Sequence, residues 1–134
     1  MKKHQINIRI RYGETDQMGI VHHSNYAQYL EFARIRWLEN LGASYKKMEE
    51  EGIILPVYEM KIQYKKPAFF DEVITVETSL EKLPTAKIIL NYVITNQAKE
   101  ILTTAQTTLV FSDVKTKIPI RCPDYILELL KVNK

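Results

Sequence analysis

The feature that most limits what this chain can fold into is a change of hydrophobic period between residues 10 and 26. Ile6, Ile8 and Ile10 alternate with Asn7, Arg9 and Arg11, the period of two expected of a half-buried strand. From Asn25 the period becomes helical. Tyr26, Leu30, Ala33, Trp37 and Leu41 step by three or four and form one apolar stripe, with Gln28, Glu31 and Glu39 opposite it. Ser24 or Asn25 is the expected cap and Gly42 the expected stop. Between the two patterns, residues 13–23 follow no period and are punctuated by Gly13 and Gly19.

Downstream, "SYKKMEEEG" predicts a short second helix ending at Gly52. Four runs of strand character follow, at 54–66, 72–82, 86–96 and 101–112. In "VITVETSL" the residues Ile74, Val76, Thr78 and Leu80 share one side, and in "TTAQTTLVF" so do Ala105, Thr107, Leu109 and Phe111. "KLPTA" and "NQAKE" are short polar connections of the kind antiparallel hairpins use. Pro67 and Pro123 fall near element boundaries, where a missing N–H does little damage. "DYILELLK" predicts a closing helix. The order is strand, long helix, then four consecutive antiparallel strands. The fold class is α+β: one domain over 1–134, the helix stripe buried against a five-stranded antiparallel sheet. Nothing in the sequence covers the edge strands of that sheet, which predicts pairing with a second copy.

Composition removes several function classes. With 46% hydrophobic and 26% charged residues, this is an ordinary globular chain. A net charge of +3 favours an anionic ligand but lacks the basic footprint of a nucleic-acid binder. Cys122 is the only cysteine, so an internal disulfide and a cysteine-rich zinc site are both excluded. The start "MKKHQINIRIRY" alternates instead of presenting an apolar signal core, and no run approaches the roughly 18 apolar residues of a membrane span. These features predict a cytoplasmic protein without a membrane span.

The aperiodic segment "RYGETDQMGIVHHSNYAQYLEFAR" (11–34) holds more polar chemistry than a helix cap needs. Asp16 has a bland reading as a turn aspartate. In the sharper reading, Gly19 folds the loop back and brings the carboxylate towards the helix start, where N–H groups lack partners. A carboxylate facing free N–H donors is what acyl transfer requires: the donors hold a developing oxyanion while the carboxylate attacks or activates water. His22 and His23 are either polar loop residues or hydrogen-bonding partners of Asp16 or a ligand. Adjacent histidines chelate a metal poorly, and no H-x-x-x-H partner is present. Tyr26 and Tyr29 have the phase of packing residues. Glu31 reads as a solvated-face residue, with a catalytic role as its alternative, and Ser24 as a cap. No P-loop, nucleophile elbow or dinucleotide fingerprint is present.

Tyr12, Thr15-Asp16, Gly19-Ile20-Val21, His23 and Asn25-Tyr26, set between a strand and a long helix, resemble the signature of the 4-hydroxybenzoyl-CoA thioesterase family of hot-dog proteins. More narrowly they resemble its YbgC-type acyl-CoA thioesterases. "YKKPAFFDEVITVET" (64–78) is similar to a second stretch of that family, and the likeness covers nearly the whole chain. It implies a hot-dog fold, a curved sheet around the long helix that continues across a homodimer or homotetramer, and sites at the subunit interface. It gives Asp16 the place of the catalytic aspartate and His23 the place whose backbone N–H polarises the thioester carbonyl, with an assisting role for the imidazole. The second subunit contributes the segment before a proline, here Ile54-Leu55 before Pro56. Val21, Tyr26 and Val57 are the expected walls of the acyl pocket. Lys61, Lys65 and Lys66 are candidates for the phosphates of coenzyme A, which is part of the substrate, so that no separate cofactor is implied. The expected substrate is an acyl-CoA thioester, with acyl carrier protein as a second acyl carrier. A non-catalytic acyl-binding or assembly module and a hot-dog hydratase or dehydratase share the fold and remain open alternatives.

Overall fold

The computed structural model describes residues 2–133. Met1 and Lys134, the two ends of the span expected as a single domain, lie outside the described residues. In chain order the elements are β1 (Lys3–Arg9), α1 (Tyr26–Leu41), α2 (Tyr45–Glu50), β2 (Ile53–Ile54), β3 (Val57–Tyr64), β4 (Val73–Leu80), β5 (Lys87–Thr95), β6 (Ile101–Val110), β7 (Ser112–Asp113) and α3 (Asp124–Val132). Short 3-10 turns cover Tyr12–Glu14 and His23–Asn25. No helix among the described residues is long and apolar enough to cross a membrane.

The main sheet has five antiparallel strands in the order β1-β4-β5-β6-β3, and β2 pairs with β7 apart from it. The short connections at 81–86 and 96–100 join neighbouring strands, as expected. The third connection does not. β3 pairs with β6 instead of β4, so it forms one edge of the sheet while β1 forms the other. The run expected at 54–66 is also divided, into β2 and β3, and the β3–β6 register slips between Val57 and Glu59. Such a bulge bends the strand and sharpens its twist.

Ile74, Val76, Thr78 and Leu80 all lie buried on the inner face of β4. α1 buries Tyr26, Leu30, Ala33 and Trp37 from the expected stripe, and Leu30 and Ala33 are fully enclosed. Replacing a buried leucine such as Leu30 with alanine typically costs about 2–5 kcal/mol. The buried face is wider than the stripe: Tyr29, Arg34 and Leu38 also turn inward, and Leu41 is half-buried. Arg34 keeps a salt contact with the exposed Glu31 at 3.7 Å. Gly42 closes the helix in the left-handed region at φ 107°, where an L side chain is strained.

The link between β3 and β4 crosses the start of α1. The Val21 N–H donates to the Ala68 carbonyl (2.9 Å) and the Phe70 N–H to that of Gly19 (3.1 Å). Ile10 and Glu72 close the crossing from the β1 side at 2.8 Å. Residues 65–72 therefore lie against the aperiodic segment, which brings two distant parts of the sequence to one end of the helix.

Candidate active site

A tight turn builds the first wall. Thr15 and Val21 bridge across it, the Asp16 N–H donates to the Ile20 carbonyl (2.8 Å), and the Gly19 N–H returns to the Asp16 carbonyl (3.0 Å). Gly19 sits at φ 79°, a conformation that favours glycine. The Asp16 side chain takes part: its Oδ1 accepts from the Met18 N–H at 2.8 Å and from the Ile20 N–H at 3.4 Å. Asp16 is thus a turn aspartate. Because both bonds go to Oδ1, the turn also fixes the direction in which the carboxylate faces.

The helix start follows at once. Neither expected cap serves α1. Asn25 is already helical and its amide donates to the carbonyls of Glu14 (2.8 Å) and His22 (3.3 Å). His22 opens the 3-10 turn instead, its Nδ1 accepting from the Ser24 N–H at 3.1 Å. The His22 and His23 rings stack at 4.3 Å. Among the described residues the His23 N–H donates to no hydrogen-bond acceptor. It is an unpaired donor at the positive end of a helix.

These groups share one open cleft of about 320 Å³. Asp16, Ile20, Val21, His22, His23 and Tyr26 line one side, and Tyr64, Lys65, Lys66 and Pro67 the other. Tyr26 meets Tyr64 edge to face at 5.1 Å. Burial is the main cause that raises the Tyr26 hydroxyl's pKa. Lys66 pairs with Glu100 at 2.5 Å, which holds that carboxyl below its usual range.

Of the residues singled out from the sequence, the chain brings together Asp16, Val21, His23 and Tyr26, with Lys65 and Lys66 facing them. Gly19 shapes the turn without lining the cleft. Ile54, Leu55, Pro56 and Val57 lie outside it: Ile54 pairs with Ser112, Leu55 is buried in the core, and Pro56 and Val57 are exposed at the start of β3. Lys61 sits on β3 beside Glu59, and Glu31 on the outer side of α1. Among the described residues, no three His, Cys, Asp or Glu side chains gather as they would around a metal ion.

The sequence reading missed Glu14, which is buried and bonded on both sides of the helix start. Its Oε1 accepts from the Arg11 N–H (2.8 Å) and the Tyr29 hydroxyl (3.0 Å), and its carbonyl accepts from the His22 N–H (2.9 Å). The available signal was weak: an acidic residue three places after Arg11, at the edge of a segment that had lost its period.

Residues 10–130 match the family model described as the thioesterase-like superfamily. Among curated proteins, the chain is 38% identical over 114 residues to the "Putative acyl-CoA thioesterase YneP" of Bacillus subtilis, covering 85% of this chain and 83% of that one. It is 25% identical over 124 residues to the "Acyl-CoA thioester hydrolase YbgC" of Escherichia coli O157:H7, covering 92% of each. Among solved structures, a DHNA-CoA thioesterase from Staphylococcus aureus superposes with a TM-score of 0.93 at 38% identity, over 99% of this chain and 92% of that one. The two protein likenesses and the structural one agree in class, and this chain, an α+β hot-dog enzyme, belongs to the thioesterase-like superfamily.

Proposed function

We propose that the enzyme hydrolyses acyl-CoA thioesters to the free acid and CoA, with Asp16 as nucleophile or general base and the His23 N–H as oxyanion donor. One observation carries this reading: Asp16, with its carboxylate held in a turn, and His23, with its unpaired N–H, line the same cleft. A thioester carbonyl accepting from the His23 N–H would place its carbon between amide and carboxylate. In the water-mediated route Asp16 takes a proton from water and the oxygen adds to that carbon. The C–S bond then breaks and the CoA sulfur leaves, taking up the proton. In the covalent route an Asp16 oxygen adds to that carbon, the C–S bond breaks and CoA thiolate leaves; water then opens the resulting mixed anhydride, freeing the acid, restoring the Asp16 carboxylate and supplying the proton the thiolate takes up. One oxyanion donor is worth roughly 100- to 1000-fold in rate.

Val21, Tyr26 and Tyr64 offer apolar walls for the acyl group. Lys65 and Lys66 sit on the rim where CoA phosphates would lie, Lys66 partly neutralised by Glu100. The working unit is a homodimer or larger, joined through the β3 edge. Antiparallel pairing of β3 with its copy brings the copy's Val57 end towards the Tyr64 end, and with it the copy's Ile54, Leu55 and Pro56 towards the cleft. The same site would accept an acyl group carried on acyl carrier protein, and the enzyme would act in the cytoplasm without a separate cofactor.

Short-chain, long-chain and aromatic acyl-CoAs are supplied to the parent protein and to Asp16→Asn, and released thiol is titrated. The parent should turn over at least one class, and the variant about 100- to 10,000-fold more slowly. Equal rates for the two proteins would refute the assignment of Asp16.

A further inference from the structure

We infer that Glu14 is a positioning residue for this site: it ties the first turns of α1 to the segment carrying Asp16 and so sets the His23 amide against the carboxylate. The inference rests on the thioesterase reading for its kinetic part only. Glu14 is 8% exposed, and a carboxylate is seldom so enclosed unless its oxygens are bonded. Its oxygens are used on both sides. Oε1 accepts from the Arg11 N–H at 2.8 Å and from the Tyr29 hydroxyl, one turn into α1, at 3.0 Å. Oε2 meets the Arg11 guanidinium at 3.2–3.3 Å. The Glu14 carbonyl accepts from the His22 N–H at 2.9 Å and from the Asn25 amide at 2.8 Å. One residue thus holds the chain before and after His23, and two residues further on stands Asp16.

The arrangement separates two ways in which a buried acid can act. The Arg11 side chain is 79% exposed, so its ion pair with Glu14 contributes little. The enclosed bonds are those from the Arg11 N–H and the Tyr29 O–H, and they require an acceptor, not a charge. Glutamine can supply that acceptor with its Oε1 and alanine cannot. A displacement of about 1 Å in a reacting group can cost on the order of 100-fold in rate, so a loosened helix start should appear in kcat before it appears in KM.

The test uses the full-length Glu14→Ala, Glu14→Gln and Tyr29→Phe variants with the acyl-CoA best turned over by the parent. Glu14→Ala should lower kcat by about ten- to 100-fold with KM within about threefold. Glu14→Gln should recover most of that loss, and Tyr29→Phe should fall between the two. The double variant Glu14→Ala/Tyr29→Phe should be no slower than Glu14→Ala alone, because the two side chains act through one contact. Amide NMR without substrate supplies an independent reading. In Glu14→Ala the His22 amide should exchange faster and the His23 cross-peak should move, while in Glu14→Gln both should stay near their parent values. Equal kinetic loss in the Ala and Gln variants, or parent-like amides in Glu14→Ala, would overturn the inference. If Glu14→Ala does not fold, Glu14→Gln and Tyr29→Phe decide it by the same two measurements. A parent protein that turns over no thioester sinks the thioesterase reading instead, and the amide measurements still judge the clasp.

Discussion

The two walls of the cleft are held in different ways. The wall from Asp16 to Tyr26 is secured inside one chain by hydrogen bonds between residues close in sequence: Asp16 to Met18 and Ile20, His22 to Ser24, and, behind it, Asn25 and Tyr29 to Glu14. The opposite wall, Tyr64 to Pro67, is the end of an edge strand. Along that strand Val57, Tyr58 and Tyr64 are 43%, 66% and 52% exposed, and among the described residues one side of its backbone faces no neighbouring strand. Natural sheets rarely leave such an edge open. On the proposed reading, the chemistry belongs to the first, self-sufficient wall and the dependence on a second copy to the open one.

The largest effect is expected from removing the donor of the first wall while leaving its shape. His22 is extended (φ −69°, ψ 137°), which suits the residue before a proline, and His23 opens a helical turn, where the φ of proline fits. His23→Pro should therefore fold with a Tm near that of the parent and lose about 100- to 1000-fold in kcat. His23→Ala keeps the N–H and should lose about tenfold or less, the share left to the imidazole. Parent-like turnover in His23→Pro would show that the amide does not act. The second wall is tested next. Val57→Asp sets a charge on an exposed position, so the single chain should fold normally. Light scattering should show association weakened tenfold or more, about 1.4 kcal/mol, with turnover falling in step on dilution. A monomeric Val57→Asp with full activity would mean that the cleft needs no second copy.

The walls also differ in how much of each was legible in the sequence. Local periodicity placed α1 between the aperiodic segment and Gly42, and it put Ile74, Val76, Thr78 and Leu80 on the inside. It grouped Asp16, Val21, His23 and Tyr26, which line one cleft, because they are neighbours along the chain. It could not see Tyr64 and Pro67 as their counterpart, since that meeting depends on long-range pairing, Val21 with Ala68 and Ile20 with Phe69. The same cause misplaced β3, whose partner was decided by competition among strands. Histidine is not a usual capping residue, so the role of His22 went unseen. Glu14 and Arg34 look like surface charges in one dimension, and only the packing of the chain over them turns them inward. Ile54 to Val57 stand away from the cleft in a single chain, so the role proposed for them requires a second copy.

A smaller change separates the walls by strain alone. Among the described residues, Gly19's own chain neighbours aside, no heavy atom lies within 4 Å of where a Cβ at Gly19 would sit, yet its φ of 79° is one that alanine resists. Gly19→Ala should cost about 1–2 kcal/mol, lowering Tm by a few degrees and kcat modestly, because the same turn holds Oδ1 of Asp16. Association should be unaffected, the reverse of Val57→Asp. An unchanged Tm would mean that the turn relaxes freely.

The smallest effect at neutral pH becomes visible only in alkali. Burial, the first cause in each, pushes the hydroxyl pKa of Tyr26, Tyr29, Tyr45 and Tyr92 above the ordinary tyrosine value of about 10; for Tyr29 the bond to the Glu14 carboxylate adds to it. The folded protein keeps protons on these groups that the unfolded chain releases. Their contribution to stability is therefore complete below about pH 10 and is lost as pH rises from there through the folded-state values. Each group can contribute at most about 1.4 kcal/mol per pH unit to the fall. Denaturant unfolding between pH 8 and 11.5 should give a flat region followed by a decline. Tyr29→Phe should start from lower stability, having lost its bond to Glu14, but decline less steeply, with one proton fewer linked to unfolding. If parent and Tyr29→Phe decline with the same slope, Tyr29 ionises without unfolding the protein, and the wall it anchors is more open than its hydrogen bonds imply.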